Sequence, residues 1–319
     1  MHCFILAGGF ATRLWPITER RAKPLLPIAG KPLLSYVIES LPKDVEITVS
    51  TNAVFAEDMK AWAKTIRNHS IAIVIEDAGH EGEKLGALGA VSKWLTEEKI
   101  DDDILLLAGD NYVGCPMSKF LEKRGSNPLI AAHDLGDTEL AKQFGTVVVG
   151  NSGQVTSFEE KPLHPKSTFV STGWWWLPKS SLPVLKDYAR KHPDNVGGVF
   201  EEFLRQGMTV DAFIFKDSWH DIGSFESYLH LHREIVDGKT LCDGSSTISP
   251  DSTMLGSNSI GPKVEIKKST LTDCIVFGNA TITDCVLERC ILDEGCRLEG
   301  VDLTDKMLRA ETVLRFNVP

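Results

Sequence analysis

A glycine-rich stretch near the start of the chain has the composition of an anion-binding loop. The apolar run Cys3–Ala7 predicts a buried strand, and Gly8, Gly9 and then Arg13 follow it. Glycines have no Cβ atom, so a ligand can lie against their backbone, and successive N–H groups form a nest for anions. Arginine adds a fork of donors that suits phosphate oxygens. The stretch predicts a phosphate-binding loop, although a Gly-Gly pair by itself is also typical of an ordinary turn.

A second cation follows ten residues after Arg13. Lys23 begins the segment Lys23–Pro27, in which two prolines restrict the backbone and hold the lysine in place. The region has no Gly-Lys-Ser/Thr ending and lacks the third glycine of the dinucleotide-binding fingerprint, so it matches neither of the common phosphate loops.

Two aspartates are candidates for binding a divalent cation. Asp110 follows the apolar run Leu105–Ala108 and a glycine, and Asp221 stands just before Gly223 and a predicted helix. Carboxylate oxygens at such positions suit Mg²⁺. Asp110 is explained equally well as the cap of a turn, and Asp221 as the cap of a helix. The presence of both favours a metal site.

These residues need a scaffold, and the first two thirds of the chain alternate between strand-like and helix-like segments. The βαβα rhythm predicts a mostly parallel sheet with helices on both faces. Ligands in such folds bind beyond the carboxyl ends of the strands, where Gly8, Gly86 and Asp110 fall. The middle is more antiparallel, with a hairpin turn at 150–153. The predicted strands are 3–7, 45–50, 71–76, 104–108, 144–149, 155–159, 169–177 and 211–215, and the predicted helices are 32–41, 56–66, 85–95, 181–191, 199–206 and 224–236.

After residue 238 the helical periodicity stops and a shorter repeat begins. Apolar residues recur every six positions from Ile248 to Ile266, and then every five or six positions as far as Leu303. A short fixed period predicts a solenoid of stacked coils. The alternative is a row of unrelated edge strands. Six-residue spacing resembles the left-handed parallel β-helix of hexapeptide-repeat proteins.

Composition excludes several classes of protein. The chain has 319 residues, a formal charge of −10 and 42% hydrophobic residues. An acidic chain is not expected to bind nucleic acid. No run approaches the roughly 18 apolar residues of a membrane span, and the start has no basic signal region. Seven cysteines, an odd number, predict free thiols and a cytoplasmic location.

The string from Gly8 to Pro27 resembles the signature of the sugar-1-phosphate nucleotidyltransferases, also called sugar-nucleotide pyrophosphorylases. The usual pattern is Gly-x-Gly-Thr-Arg-Leu, and Ala11 stands here at its second glycine. The resemblance covers about the first 235 residues through five spaced segments. It implies an α/β fold, with a Rossmann-like mixed, mostly parallel sheet domain at 1–237 followed by a left-handed parallel β-helix domain at 238–319.

The resemblance also implies the roles of individual residues. Catalysis would involve Arg13, Lys23, Asp110 and Asp221, with Mg²⁺ as cofactor on the two aspartates. Polar groups between Glu76 and Lys84 would read the base, but which ones is left open, as is which of the tryptophans at 174–176 faces the pocket. The implied nucleotide site is Leu6, Ala7, Gly8, Gly9, Thr12, Arg13, Lys23, Leu85 and Gly86, and the implied sugar-phosphate site is Gly145, Glu160, Lys161, Thr172 and Trp219.

The reaction implied is attack of a sugar 1-phosphate on the α-phosphorus of a nucleoside triphosphate, with release of pyrophosphate. Glucose 1-phosphate with dTTP or UTP is the expected pair, and mannose-1-phosphate guanylyltransferase is the alternative. A non-catalytic regulatory subunit would tend to lack the cations or aspartates that are present here. Acyltransferase activity in the β-helix is not expected, because no histidine follows His232. The β-helix is expected to serve oligomerisation, giving a homo-oligomer, or regulation.

Overall fold

The computed structural model of the protein describes residues 1–76 and 85–316. The contacts divide the chain into two compact units, of which the first comprises Met1–Phe10 and Leu34–Asp221 and the second comprises Ala11–Leu33 and Ile222–Pro319. Each unit has its own hydrophobic core. Among the helices of the described ranges, none has both the length and the apolar character that crossing a membrane requires.

Thirteen strands and eight helices precede the repeat region in the part of the chain that the structure describes. The strands are β1 (His2–Leu6), β2 (Pro27–Ile28), β3 (Lys31–Pro32), β4 (Glu46–Asn52), β5 (Ile71–Glu76), β6 (Ile104–Ala108), β7 (Asn111–Val113), β8 (Leu129–Asp134), β9 (Gly145–Val149), β10 (Val155–Glu160), β11 (Phe169–Leu177), β12 (Asp211–Phe215) and β13 (Trp219–Asp221). The helices are α1 (Leu33–Ser40), α2 (Ala56–Ala63), α3 (Ala87–Glu97), α4 (Met117–Leu121), α5 (Thr138–Ala141), α6 (Leu182–Ala189), α7 (Gly198–Arg205) and α8 (Phe225–Val236).

The first unit is built on a mixed nine-stranded sheet in the order β10-β9-β11-β6-β1-β4-β5, with β8 paired to β11 and β12. The strands β6, β1, β4 and β5 run parallel, and β11 joins β6 antiparallel. The first four residues of β6 are all buried, as expected for a strand covered by helices on both faces. The predicted Rossmann-like architecture is confirmed, and the predicted bounds of β5, β6 and β11 coincide with the observed ones.

Three strands of the first unit were not predicted. The strands β7 and β13 have three residues each, too few for an alternating pattern to be recognised, and they pair only with each other. The strand β8 contains two alanines, a residue with weak strand propensity. Helix α3 begins at Ala87, two residues later than predicted, because Gly86 has φ +79°, which is not a helical value.

The repeat region of the second unit forms three parallel sheets whose strands stack coil upon coil. Ile248 pairs with Ile266, so the first coil takes 18 residues, whereas Ile266 pairs with Ile282 and Ile282 with Leu298, so the later coils take 16. The first coil is made of three steps of six, and each later coil of two steps of five and one of six, which explains the irregular spacing in the sequence. The strands are β14 (Thr240–Cys242), β15 (Thr247–Ile248), β16 (Thr253–Leu255), β17 (Asn258–Ile260), β18 (Glu265–Lys267), β19 (Thr270–Thr272), β20 (Ile275–Val276), β21 (Thr281–Thr283), β22 (Val286–Glu288), β23 (Ile291–Leu292), β24 (Arg297–Glu299), β25 (Asp302–Thr304), β26 (Met307–Leu308) and β27 (Val313–Arg315).

The inside of this coil is mainly apolar. Residues at the centres of strands in the middle coils, such as Ile266, Leu271 and Leu287, are fully buried. Four of the seven cysteines also lie in this core, and all seven thiols are free. The predicted parallel β-helix is confirmed, and its left-handedness stays a prediction.

Candidate active site

Three strand ends meet at the glycine loop of the first unit. The carbonyl oxygen of Gly8, two residues after β1, accepts a hydrogen bond from Asn52 Nδ2 at 3.0 Å, at the end of β4. Glu76, which ends β5, is 5% exposed, and its carboxylate would collide with a Cβ atom on Gly8. Gly8 therefore has to lack a side chain because a buried carboxylate stands against it. The predicted nucleotide loop, with Leu6 and Ala7 before it, is thus held at the carboxyl edge of the parallel strands.

Gly86 is held by a neighbouring loop of the same unit. A Cβ atom on this residue would lie 2.5 Å from the carbonyl oxygen of Pro193. That same oxygen accepts hydrogen bonds from the N–H groups of Leu88 and Gly89, at 2.7 and 3.1 Å, in the first turn of α3. Leu85, the other predicted nucleotide residue here, is 37% exposed. Residues 77–84, which make up most of the predicted base-reading stretch, lie outside the described residues.

The two predicted metal ligands are brought together by a pair of short strands. Asp110 immediately precedes β7, and Asp221 is the last residue of β13. The strands pair antiparallel with Asp221 opposite Asn111, so the backbones of the two aspartates are neighbours that lie one residue out of register across the strand pair. Two carboxylates are hard oxygen donors, the kind of ligand that Mg²⁺ takes from proteins. The residues present therefore fit a magnesium ion.

Asn111 connects one of these aspartates to a tryptophan. Its Nδ2 lies 2.9 Å from Asp110 Oδ1, and its Oδ1 accepts a hydrogen bond from Trp219 Nε1, also at 2.9 Å. Trp219 is 9% exposed and packs edge-on against Phe144. The resemblance placed Trp219 in the sugar-phosphate site. Its N–H group, however, donates a hydrogen bond within the protein. Asn111 was not predicted as a site residue. The sequence feature that could have indicated it is its position directly after Asp110.

The predicted sugar residues Gly145, Glu160 and Lys161 lie together at the ends of a β-hairpin. Gly145 is paired with Glu160, and a Cβ atom on it would stand 2.9 Å from Glu160 Oε2. Lys161 Nζ lies 3.8 Å from Glu160 Oε1. Burial raises the pKa of the Glu160 carboxyl, and the positive charge of Lys161 opposes that rise. A Cβ atom on Gly197 would also collide with this carboxylate, so the loop before α7 borders the same place.

The remaining predicted residues of the sugar region are deep in the sheet. Thr172 is fully buried, and its hydroxyl donates a hydrogen bond to the carbonyl oxygen of Ala131 at 3.2 Å. The side chains of Trp174, Trp175 and Trp176 are 2%, 7% and 4% exposed, so all three belong to the core. A sugar contact through any of these four side chains stays a prediction.

Thr12, Arg13 and Lys23 belong to the second unit. Thr12 and Arg13 are exposed in a 3-10 turn, Thr12–Leu14, and Lys23 is 8% exposed in another, Lys23–Leu25. Ala11, which occupies the place of the family's second glycine, has φ +50° and lies in the left-handed region. Its carbonyl oxygen accepts a hydrogen bond from the Thr18 hydroxyl at 3.0 Å. The backbone conformation that glycine favours is therefore kept here by alanine, at some cost in strain.

Three consecutive residues between Arg13 and Lys23 are tied to the β-helix of the same unit. Glu19 forms a two-pronged ion pair with Arg309, and Arg20 Nη1 lies 3.2 Å from Glu311 Oε1. Arg21 Nη1 lies 3.2 Å from Asp293 Oδ1, whose side chain is only 3% exposed. The Arg21 guanidinium also stands 4.7 Å from the centre of the Phe277 ring. The repeat region thus holds the segment that joins the two predicted phosphate-binding cations.

Comparison with known proteins identifies one family. The pattern that defines the nucleotidyl transferase family matches residues 3–238. A glucose-1-phosphate thymidylyltransferase of Streptomyces griseus is 26% identical, over 95% of this chain and 89% of its own length. A protein of Sulfolobus acidocaldarius, provisionally named mannose-1-phosphate guanyltransferase, is 27% identical over 74% of this chain, and the match spans 63% of that protein. A UTP–glucose-1-phosphate uridylyltransferase of Synechocystis is 26% identical over 74% of this chain and 63% of its own length.

A solved structure has the same fold. The crystal structure of a Bacillus anthracis protein, provisionally named glucose-1-phosphate thymidylyltransferase, superposes with a TM-score of 0.63. The superposition covers 73% of this chain and 94% of that one, at 20% sequence identity. At that identity the likeness concerns the fold, and it agrees with the mixed sheet of the first unit.

Proposed function

Since the chain belongs to the nucleotidyl transferase family, we propose that it is an active sugar-1-phosphate nucleotidyltransferase, which forms a nucleoside-diphosphate sugar and pyrophosphate. The observation that supports this best is the strand pair β7–β13, which makes Asp110 and Asp221 neighbours. A non-catalytic relative would have no need of two adjacent carboxylates after a glycine loop. Arg13 and Lys23 are also present in the sequence.

The reaction mainly requires that the two reactants are positioned and that their negative charge is neutralised, because both are polyanions. A magnesium ion held by Asp110 and Asp221 would supply positive charge to the phosphates. Lys161 would bind the phosphate of the sugar, and the Glu160 carboxylate would accept hydrogen bonds from sugar hydroxyls. Arg13 and Lys23 would bind the triphosphate. The attacking phosphate oxygen is already an anion, so the reaction needs no general base.

Glucose 1-phosphate with dTTP or UTP is the first candidate for the substrate pair. The thymidylyltransferase of Streptomyces griseus, which matches along nearly its whole length, supports dTTP. The uridylyltransferase of Synechocystis supports UTP. Uracil and thymine differ by one methyl group, so one pocket could accept both.

A specific observation supports GTP with mannose 1-phosphate as the second candidate. Glu76 is the one described residue of the predicted base-reading stretch, and its carboxylate lies at the glycine loop. A carboxylate only accepts hydrogen bonds, and guanine offers two adjacent donors, N1–H and the N2 amino group. Uracil and thymine offer one donor between two carbonyl oxygens, which a carboxylate would repel. The relative from Sulfolobus acidocaldarius has a name that agrees with guanine.

A matrix assay tests the proposal and separates the two candidates. Purified protein is mixed with Mg²⁺, one of four triphosphates (dTTP, UTP, GTP or ATP) and glucose or mannose 1-phosphate, and pyrophosphate release is measured. Turnover with any pair supports the proposed function, and no release with a broad panel of sugar phosphates would contradict it. If GTP is preferred, Glu76→Gln should lower the ratio of kcat/KM for GTP over UTP by about 10-fold or more. Glu57→Gln, a change at an exposed glutamate, serves as control.

We also propose that the chain has two domains with different roles and that the protein is cytoplasmic. The catalytic domain would comprise residues 1–237, and the β-helix domain 238–319. The first β-helix strand, Thr240–Cys242, begins just after that boundary. Seven free thiols are in keeping with a reducing compartment. The β-helix would also mediate a homo-oligomer, which sedimentation or light scattering of the full chain would test.

A further inference from the structure

A chain of two hydrogen bonds ends on one of the candidate metal ligands. The indole N–H of Trp219 donates to Asn111 Oδ1, and Asn111 Nδ2 donates to Asp110 Oδ1, each at 2.9 Å. The three residues lie on adjoining short segments, since β13 begins at Trp219 and β7 at Asn111. The strand pairing itself uses only the backbone, so it does not require these side-chain hydrogen bonds.

The chemistry of the two ends fixes which way the amide points. An indole nitrogen can only donate a hydrogen bond, so the atom of Asn111 that faces it has to be the oxygen. An ionised carboxylate can only accept, so the atom that faces Asp110 has to be the nitrogen. Both ends therefore select the same orientation of the amide. In that orientation, one oxygen of Asp110 is held at a set position.

The packing around this chain of hydrogen bonds restricts the movement of the Asn111 and Trp219 side chains. Asn111 is 8% exposed and Trp219 is 9% exposed. The Trp219 ring packs against Phe144, with ring centres 5.1 Å apart, and against His133 at 6.0 Å. Gly173, with φ +81°, lies beside the amide, since a Cβ atom there would stand 3.6 Å from Asn111 Nδ2. The same Cβ atom would stand only 2.6 Å from the Cβ atom of Ala108, so it is the packing of β11 on β6 beside the asparagine that requires glycine here.

We propose that Asn111 and Trp219 are positioning residues for divalent-cation binding, because together they hold the Asp110 carboxylate in its ligating rotamer. This inference rests on the proposed function in one respect, the assignment of Asp110 as a metal ligand. Outer partners of metal ligands restrict the ligand's orientation, and losing one weakens metal affinity by about 10- to 100-fold. The role is distinct from substrate contact, since neither side chain has to touch a reacting atom.

The test measures Mn²⁺ binding to the full chain without substrates, by electron paramagnetic resonance of the free ion. Trp219→Phe keeps the ring and its packing but removes the donor, and Asn111→Leu removes both hydrogen bonds. We expect the Mn²⁺ dissociation constant to rise about 3- to 10-fold in the first and about 10- to 100-fold in the second. The double variant should bind no more weakly than Asn111→Leu, because both changes break one chain.

A matched control comes from the nine-stranded sheet of the same unit. Trp175 is equally buried and donates its indole N–H to Ser171 Oγ at 3.0 Å, so Trp175→Phe loses the same kind of bond at another place. This control should bind Mn²⁺ as the wild type does. With substrates, Trp219→Phe should need about 3- to 10-fold more Mg²⁺ for half-maximal rate than the wild type does, and Trp175→Phe should need the wild-type concentration. A general weakening of the fold would lower kcat instead, and thermal unfolding of each variant is recorded alongside.

Three outcomes overturn the proposal, and the first two differ in what else they affect. If Asp110→Asn abolishes Mn²⁺ binding while Trp219→Phe and Asn111→Leu bind as the wild type does, the positioning role is wrong and the metal assignment stands. If Asp110→Asn binds Mn²⁺ normally, the metal assignment in the proposed function is wrong, and the positioning role is lost with it. Equal weakening in Trp219→Phe and Trp175→Phe would also contradict a specific role.

Discussion

The aspartate pair in the first unit and the segment of Arg13 and Lys23 in the second unit are held by different kinds of interaction. Asp110 and Asp221 are placed by backbone pairing of β7 with β13, and Asp110 also accepts a hydrogen bond from the Asn111 amide. The segment 11–33 is instead tied to the β-helix by ion pairs from Glu19, Arg20 and Arg21.

This difference predicts which conditions disturb each region. Main-chain pairing between neutral peptide groups depends little on salt and pH. Exposed ion pairs are screened by salt and stabilise a protein by about 1 kcal/mol or less each. A pair with a buried partner behaves differently, because losing one charge leaves the other without compensation. The second unit should therefore respond to changes of charge more strongly than the first.

The largest effects should come from removing the groups that are proposed to act in catalysis, two aspartates of the first unit and a lysine of the second. Asp110→Asn, Asp221→Asn and Lys23→Ala should each lower kcat about 100- to 1,000-fold, because each removes charge that would act on phosphate. Pyrophosphate release measures the rate, and circular dichroism checks the fold. Asp187→Asn, at an exposed aspartate paired with Arg190, is the control. Near-wild-type rates in all three variants would refute the assignment of the site.

The next largest effect should be on the stability of the second unit. Arg21→Ala leaves the Asp293 carboxylate buried without its partner, so the free energy of unfolding should fall by about 3 to 5 kcal/mol. Arg20→Ala removes a neighbouring arginine whose ion pair is exposed. This variant should unfold at nearly the same denaturant concentration as the wild type. Urea titrations compare the two. If the two variants were equally stable, the buried pair would not be what anchors the segment.

A third prediction concerns acid and again the second unit. Burial lowers the pKa of His232 in α8 to about 4, from an ordinary value of 6.5. The unfolded chain binds this proton at a higher pH than the folded chain does, so stability is complete above pH 6.5 and is lost as the pH falls towards 4. The loss between pH 7 and pH 4 should be about 3 kcal/mol larger in the wild type than in His232→Leu. Equal losses in urea titrations at the two pH values would contradict the prediction.

The smallest effect should appear in the first unit and have the opposite sign. Burial raises the pKa of Glu160, so its contribution to stability is complete below the ordinary pKa and is lost as the pH rises through the raised value. Glu160→Gln removes that dependence. It should unfold about 1 to 3 °C above the wild type at pH 7.5 and at the same temperature at pH 4. The same variant should raise KM for the sugar phosphate, because an amide accepts fewer hydrogen bonds than a carboxylate.

The sequence by itself determined the elements that have a local pattern. The apolar runs at 71–76 and 104–108 predicted β5 and β6 to the residue, because a strand of a parallel sheet is a short, largely apolar run bounded by turns. The order of elements then gave the fold class, and the loop after β1 pointed to phosphate binding. The repeat after residue 238 predicted a coil, since a short period is visible without knowing what each strand pairs with.

The tertiary structure decided everything that depends on pairing between distant residues. Asp221 stands opposite Asn111 through two three-residue strands that have no recognisable pattern. The ion pair of Glu19 with Arg309 joins residues that are 290 positions apart. The pairing of backbones also sets the 16-residue length of the later coils. It likewise brings together the residues of the hydrogen-bond chain that ends on Asp110. Local sequence fixes the preference of a segment for strand or helix, but partners across space are chosen only when the whole chain packs.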